Sequence, residues 1–332
     1  MKRIAINGLG RIGRILLKEL LKEKMNVVAV NDLCDNDELA YLIKYDSVHG
    51  KYNKKVKADK NAIIVDGKEI KTFKEMDAKN LPWKKLKIDL VIECTGLYTS
   101  LEKADDHIKA GAKHVVISAP GKGNMKTIVY GVNDDTLDGT EKIFSTSSCT
   151  TNCLAPLLKV IDDKYTIKEG YMSTIHAYTN DQKILDVAHK KNYTERRGRA
   201  SAINIIPTTT GAAESIGNVM PSLKGKMKGS AFRVPVMDGS LVDVTLLLEE
   251  EPTKEEINNL YRSNQSDTLK ITFDPIVSSD IIGTKAGSTI DGLLTSTIKN
   301  QVKIVSWYDN EFGYSMQMVR TIKKFLSLTW YK

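Results

Sequence analysis

Ile4-Ala5-Ile6-Asn7-Gly8-Leu9-Gly10-Arg11-Ile12-Gly13-Arg14-Ile15-Leu16-Leu17-Lys18-Glu19-Leu20 is the stretch whose reading decides the fold. Residues 3–7 alternate like a strand, and from residue 11 to 23 the leucines and isoleucines recur at helical spacing. Between them lies G-x-G-x-x-G. A second strand reads at 26–31, and Asp32 follows Gly13 by 19 residues. That layout answers a physical need. Gly8 permits the tight turn, Gly10 lets backbone approach a pyrophosphate, and Gly13 lets the helix pack close to the strand. The helix N-terminus then offers unpaired N–H groups to the anion. Asp32 is placed to accept hydrogen bonds from the adenosine ribose and to repel a 2′-phosphate, which favours NAD over NADP.

Working outward, strand patterns recur at 89–93, 114–118, 127–131 and 142–145, with helical patterns at 37–44 and 101–111. Strands separated by helix-length crossovers imply βαβ units and a mainly parallel sheet. After about residue 148 the pattern changes. Longer alternating segments at 171–177, 229–236, 240–249 and 302–307 suit an antiparallel sheet with one covered face. Helical patterns follow at 252–264 and 314–327. The whole chain of 332 residues therefore predicts two domains.

Composition narrows the class. With 41% hydrophobic and 27% charged residues the chain is neither disordered nor membrane-spanning, and no apolar run approaches the length of a bilayer helix. The start lacks a signal peptide's apolar core, which predicts a cytoplasmic protein. The formal charge of +8 raises the possibility of a nucleic-acid partner. Residues 1–148 hold 26 basic and 21 acidic side chains, and the remainder 23 and 20, so the excess is spread out. Lysine-rich stretches such as 51–57 read as solvated surface. Four cysteines make no disulfide framework and none of the C-x-x-C spacings of a zinc site, so no metal is expected.

Ser148-Cys149-Thr150-Thr151-Asn152-Cys153-Leu154-Ala155-Pro156 follows a strand and opens an apolar helix. Ser147 and Ser148 are N-cap types, so Cys149 sits in a first helical turn, where unpaired N–H groups would draw a thiol pKa toward neutrality. Cys153, one turn on, reads as packed and inert, and Cys34 and Cys94 as structural. A nucleophilic thiol needs a base. His176, in the strand-like 173–178, is the candidate; His49, His107, His114 and His189 read as surface groups. From the residues alone, Cys149 is as compatible with a buried structural residue as with a nucleophile. A lone strand histidine, too, is often structural.

The sequence resembles the phosphorylating glyceraldehyde-3-phosphate dehydrogenases over essentially its whole length. The matching segments include INGLGRIGR (6–14), KYDSVHG (44–50), SCTTNCLAP (148–156), IHAYTNDQ (175–182), IIPTTTGAA (205–213), RVPV (233–236) and WYDNEFGYS (307–315). The resemblance implies a Rossmann NAD-binding domain over 1–148. An α+β catalytic domain with a mixed, largely antiparallel sheet would cover 149–312, and a helix over 313–332 would pack back on the first domain. It implies a homotetramer that converts D-glyceraldehyde 3-phosphate to 1,3-bisphosphoglycerate in glycolysis. Cys149 would form a hemithioacetal and then a thioester with His176 as base, and inorganic phosphate would cleave the thioester.

By motif, Ser148, Thr150, Thr210 and Gly211 match the site of the attacking phosphate. Thr179, Arg233 and Arg197 match that of the substrate's own phosphate. On the cofactor side Arg11 and Ile12 match pyrophosphate contacts, Ser118 lies near the nicotinamide, and Asn310 matches the residue that binds its carboxamide. Met76 stands near the adenine where many relatives carry arginine. Ala188, Glu214 and Phe312 also depart from the common pattern, Ala188 in a way that bears on NADP exclusion. Three other readings compete: a sister dehydrogenase acting on erythrose 4-phosphate, a cysteine hydrolase and a nucleic-acid-binding protein. The hydrolase leaves the Gly8–Asp32 unit unexplained, and no base-reading or stacking motif supports the nucleic-acid reading.

Overall fold

The computed structural model describes residues 1–190 and 192–329. Residues 330–332 of the expected final helix lie outside them. The chain divides into two units. The first comprises Met1–Ile128, Asp134–Ser147 and the segment from Met318 on; the second comprises Val129–Asn133 and Ser148–Gln317.

The first unit contains β1 (Ile4–Asn7), α1 (Arg11–Lys22), β2 (Val27–Asn31), α2 (Asn36–Lys44), β3 (Val56–Asp59), β4 (Ala62–Val65) and β5 (Lys68–Phe73). β6 (Leu90–Glu93), α3 (Leu101–Lys109), β7 (His114–Ile117) and β8 (Ile143–Ser145) complete it. The strand order is β3-β4-β5-β2-β1-β6-β7-β8. From β5 to β8 every pairing is parallel, with β3 and β4 added as an antiparallel edge. The parallel strands β1, β2 and β6 are buried almost throughout, as a sheet covered by helices on both faces demands. α1 buries Ile15, Leu16, Leu17 and Leu20, the apolar stripe read from the sequence. The expected strand at 127–131 is absent: Thr127 makes one isolated bridge to Ser145, and Gly131 is in the left-handed region.

The second unit holds α4 (Cys149–Asp162), β9 (Ile167–Ala177), β10 (Ile206–Thr208), α5 (Ala212–Val219), β11 (Met227–Val234) and β12 (Ser240–Leu248). α6 (Lys254–Ser263), β13 (Leu269–Thr272), β14 (Ser288–Asp291), β15 (Ser296–Ile298) and β16 (Gln301–Tyr308) follow. Its sheet runs β10-β11-β9-β12-β16-β14-β13, mixed in direction, with β15 paired to β16. α4 lays Leu154, Leu157, Leu158 and Ile161 on a core built with Val242, Val244 and Ile304. α7 (Phe312–Leu328) closes the described chain, and its Phe325 packs on Phe144 with ring centroids 4.8 Å apart. Among the described residues no helix is long and apolar enough to cross a membrane.

Candidate active site

The glycine loop has the geometry that its sequence requires. Gly8 adopts φ +91°, and a Cβ there would meet Thr95 at 2.9 Å. A Cβ on Gly13 would stand 2.0 Å from the Gly8 carbonyl oxygen, whereas one on Gly10 would meet nothing within 4 Å. Gly10 is the N-cap of α1, and the first helical bond runs from Arg14 N–H to the Gly10 carbonyl, so Arg11, Ile12 and Gly13 supply the leading amides. The Arg11 side chain turns aside to pair with Asp46 at 3.0 Å. Asp32 accepts the Leu9 N–H at 2.7 Å and the Cys34 N–H at 3.0 Å.

A pocket of about 310 Å³ opens here, lined by Gly8, Gly10, Asp32, Met76 and Thr95 among others. Its open space at Gly10 and its half-buried carboxylate at Asp32 fit the pyrophosphate and ribose of a dinucleotide. Met76 is 76% exposed at its rim and offers only an apolar edge. Ser118 lies at the end of β7, its N–H donated to the Glu93 carbonyl.

In the second unit, Cys149 is the first residue of α4. Ser148 is its N-cap and accepts the Thr151 N–H, as the sequence predicts. Ser147 takes φ +59°, an uncommon conformation for a non-glycine residue, which turns the chain sharply into the helix. The Cys149 Sγ lies 3.4 Å from His176 Nε2. His176 Nδ1 lies 2.7 Å from the Ala177 carbonyl oxygen. Arg233 Nη1 lies 2.9 Å from the same nitrogen; with its two hydrogens taken by the Ala177 carbonyl and Thr179 Oγ1, the tautomer that carries the proton on Nδ1 satisfies every contact and turns the Nε2 lone pair to the thiol.

Arg233 stands directly beside His176 in the β9–β11 register. Its Nη1 donates to the Ala177 carbonyl at 2.9 Å and to Thr179 Oγ1 at 3.1 Å. Thr179 donates to Asp181, and Asp181 accepts from Arg197 Nη1 at 2.5 Å. Arg197 also donates to Thr208 Oγ1 and to the Thr209 carbonyl. Cys149, His176, Arg233, Thr179 and Arg197 thus form one connected cluster. Asp181 and Gln182, both within the IHAYTNDQ segment, join this cluster although no local motif marks them. Gln182 accepts the Thr179 N–H through its Oε1. Two buried donors of this cluster, Arg233 Nε and Gln182 Nε2, have no hydrogen-bond partner, which is what an anion site would leave.

Thr210 and Gly211 lie at the start of α5, whose Ser215 bonds Thr151 of α4 at 3.0 Å. The Thr150 hydroxyl is buried and lies 2.9 Å from the Tyr308 hydroxyl. Asn310 is buried, with its Oδ1 accepting from Ser240 Oγ at 2.7 Å.

One electrostatic expectation needs correction. Burial pushes the Cys149 thiol above its ordinary value, against the opposing pull of Arg233 and the hydrogen bonds from Thr150. Burial and then the Arg233 charge lower His176 to about 3. Burial thus favours the neutral thiol and the neutral imidazole, against the pull of the helix terminus. Cys153, against Ser288 and the Ser306 carbonyl, is pushed up to about 12 by burial, and Cys94 likewise. His107 is no surface group. It is wholly buried in the first unit, and His114 is half-buried on β7.

Residues 2–101 match the family model for the NAD-binding domain of glyceraldehyde 3-phosphate dehydrogenase, and residues 148–310 match that for its C-terminal domain. The chain is 49% identical over 333 residues to the glyceraldehyde-3-phosphate dehydrogenase of Clostridium pasteurianum, covering 99% of each chain. It is 51% identical to that of Borreliella burgdorferi, covering 97% of this chain and 99% of the relative.

Proposed function

The chain belongs to the glyceraldehyde-3-phosphate dehydrogenase family, and from that premise we propose how its residues divide the work. The reaction is the NAD-dependent oxidative phosphorylation of D-glyceraldehyde 3-phosphate in glycolysis. Cys149 Sγ attacks the aldehyde carbon while His176 Nε2 takes the thiol proton and passes it to the carbonyl oxygen, giving a hemithioacetal. Nε2 then receives the hydroxyl proton as the carbon is oxidised to the thioester. NAD, when bound, supplies the hydride acceptor. Inorganic phosphate breaks the thioester, the acyl group leaves as the acyl phosphate, and the sulfur departs toward the N-terminal amides of α4.

The 3.4 Å approach of Sγ to His176 Nε2, whose lone pair the Ala177 carbonyl at Nδ1 favours, carries this reading. Thr179, Arg233 and Arg197 hold the substrate's own phosphate, supported by the unpartnered donors Arg233 Nε and Gln182 Nε2. Ser148, Thr150, Thr210 and Gly211, at two helix starts joined through Thr151 and Ser215, receive the attacking phosphate. Gly8, Gly10, Arg11, Ile12, Gly13 and Asp32 hold the adenosine diphosphate part of NAD with Met76 at its rim, and Ser118 and Asn310 serve the nicotinamide. Functionally this gives an NAD-binding domain over 1–148 and a catalytic domain over 149–312, with the closing helix assigned to the first.

We further infer a cytoplasmic homotetramer. Ile184, Leu185, Val187 and Tyr193 lie exposed along one segment, with Ile203 and Ile205 just beyond, an apolar surface that a second copy would cover. Sedimentation of the purified chain as a monomer would overturn that part. The chemistry is tested by following reduction of NAD with glyceraldehyde 3-phosphate, with and without inorganic phosphate. Cys149→Ser is expected to bind NAD normally and to lose at least three orders of magnitude in turnover, of the order seen when a covalent nucleophile is removed. Substantial residual turnover would put the nucleophile elsewhere.

A further inference from the structure

Three polar residues stand side by side at the C-terminal ends of adjacent parallel strands. Asn7 ends β1, in register with Asn31 on β2 and Glu93 on β6. All three are buried, and Glu93 is 1% exposed. Its carboxylate takes four donors: the Thr95 N–H at 2.7 Å and Thr95 Oγ1 at 2.5 Å on one oxygen, Asn7 Nδ2 at 2.6 Å and His107 Nε2 at 3.0 Å on the other. A buried carboxylate is tolerable only with such saturation. Neither Glu93 nor His107, wholly buried on α3, takes part in the chemistry or in the glycine fingerprint.

We propose that Glu93 and His107 are positioning residues for the dinucleotide, setting the orientation of Asn7 and Asn31 and thereby the three loops around the adenosine pocket. The direction of every bond is forced from one end. The Trp83 indole N–H, which can only donate, lies 3.1 Å from His107 Nδ1. Nδ1 therefore accepts and the ring proton sits on Nε2, aimed at Glu93. The 3.4 Å approach of Asn7 Nδ2 to His107 Nε2 is that of two donors converging on one oxygen. With Nδ2 committed to Glu93, Asn7 turns its Oδ1 to Asn31 Nδ2 at 2.7 Å. Asn31 in turn holds the Glu75 backbone from both sides, accepting its N–H and donating to its carbonyl, each at 2.8 Å.

The chain of bonds ends where the ligand would lie. Asn7 precedes Gly8, Asn31 precedes Asp32, Thr95 backs the Gly8 turn, and Glu75 and Met76 form the adenine-side rim. That rim has a second support on the same histidine. Tyr98, whose ring centroid is 5.2 Å from that of His107, donates its hydroxyl to the Met76 carbonyl and accepts the Ala78 N–H. Removing the imidazole nitrogens would thus loosen the loops without touching any atom that faces the cofactor.

The test titrates the full-length, cofactor-free enzyme with NAD and with ADP-ribose, which lacks the nicotinamide. His107→Phe keeps the ring packing and deletes both nitrogens. Glu93→Gln puts a donor against donors in either amide orientation. Each is expected to weaken NAD and ADP-ribose alike by about tenfold, the loss of one net hydrogen bond's worth of positioning. The alkylation rate of Cys149 in the absence of cofactor should stay at the wild-type value. His107→Gln, which can still donate to Glu93, is expected to recover affinity to within threefold of wild type. Dissociation constants within twofold of wild type in folded His107→Phe or Glu93→Gln, with only a lower melting temperature, would overturn the proposal and leave a structural network. If neither folds, Trp83→Phe, which deletes one N–H and keeps an aromatic ring, decides: about threefold weaker NAD binding supports the proposal and wild-type affinity overturns it. Wild-type NAD binding in the same titration separates failure of this proposal from failure of the cofactor reading on which it rests.

Discussion

Alanine substitutions at Gly10 and Gly13, three residues apart in the same loop, should behave differently, because the loop uses its glycines for different reasons. At Gly13 the added Cβ would lie 2.0 Å from the Gly8 carbonyl oxygen, more than 1 Å inside contact distance. The carbonyl cannot retreat easily. Gly8 has its own N–H bonded to the Asn31 carbonyl at 2.8 Å and no room for a Cβ beside Thr95, and Leu9 N–H is held by Asp32. Nor can α1 back away, since Ile15, Leu16, Leu17 and Leu20 are fully packed. Overpacking of this kind costs about 1–3 kcal/mol, which for a domain of this size lowers the melting temperature by roughly 2–12 °C. At Gly10 the Cβ meets nothing, and φ −64° with ψ −163° suits any residue. Gly10→Ala should leave stability unchanged or raise it by about 0.4–1 kcal/mol through the unfolded chain. Its Cβ would nevertheless fill the space a pyrophosphate approaches. Displacing one charge-assisted hydrogen bond costs about 1.5–3 kcal/mol, or roughly 10–150-fold in NAD affinity. Thermal unfolding of the cofactor-free protein and calorimetric titration with NAD separate the two effects. Gly10→Ala binding NAD as wild type would refute the cradle, and an unchanged melting temperature for Gly13→Ala would refute the close approach.

Two further outcomes follow from the clusters. Arg233→Leu removes the charge that donates to Thr179 and the Ala177 carbonyl; KM for glyceraldehyde 3-phosphate should rise by about 10–150-fold from the lost charge-assisted bonds, while unphosphorylated glyceraldehyde is oxidised at a rate much less affected. Equal loss with both substrates would deny Arg233 a phosphate role. Burial alone would raise the Asp46 carboxyl, but the His49 and Val48 N–H groups and the Arg11 guanidinium overcome it and hold it down to about 2. A depressed folded-state pKa stabilises above the unfolded value, near 4, and is lost as pH falls toward 2. Denaturant melts of Asp46→Asn and wild type should therefore differ at pH 5–8 and converge between about pH 4 and pH 2; a constant gap would sink this account.

Much of the first unit was legible because its signals are local. The Gly8–Gly13 spacing, the strand before it and Asp32 after it are read along a single stretch of chain, and the helix cap at Ser148 is a property of two neighbouring residues. The edge hairpin of β3 and β4 was not read. Val56-Lys57-Ala58-Asp59 alternates half-buried with exposed positions, so its lysine looks like part of a solvated run. The strand expected at 127–131 failed for the opposite reason: an apolar run ending in glycine mimics a strand, yet Gly131 turns left-handed against Thr268.

The site divides along the same line. Residue types made Cys149 and His176 candidates and the family resemblance singled them out, but their proton equilibrium is set by burial, which no local pattern reveals. A cysteine at a helix start is drawn toward ionisation by the terminal amides, an effect of about 0.3–1 kcal/mol at a surface. Removing a charged sulfur from water opposes it more strongly, and in this chain burial wins, holding the thiol up and the imidazole down. His107 fails for a related reason. Its neighbours in sequence, Asp105, Asp106 and Lys109, are charged, yet it lies on the inward stripe of α3 beside Ala104. A histidine among charges reads as solvated unless the helical period is followed through it. Here the period places it against Trp83 and Glu93, residues 24 and 14 positions away.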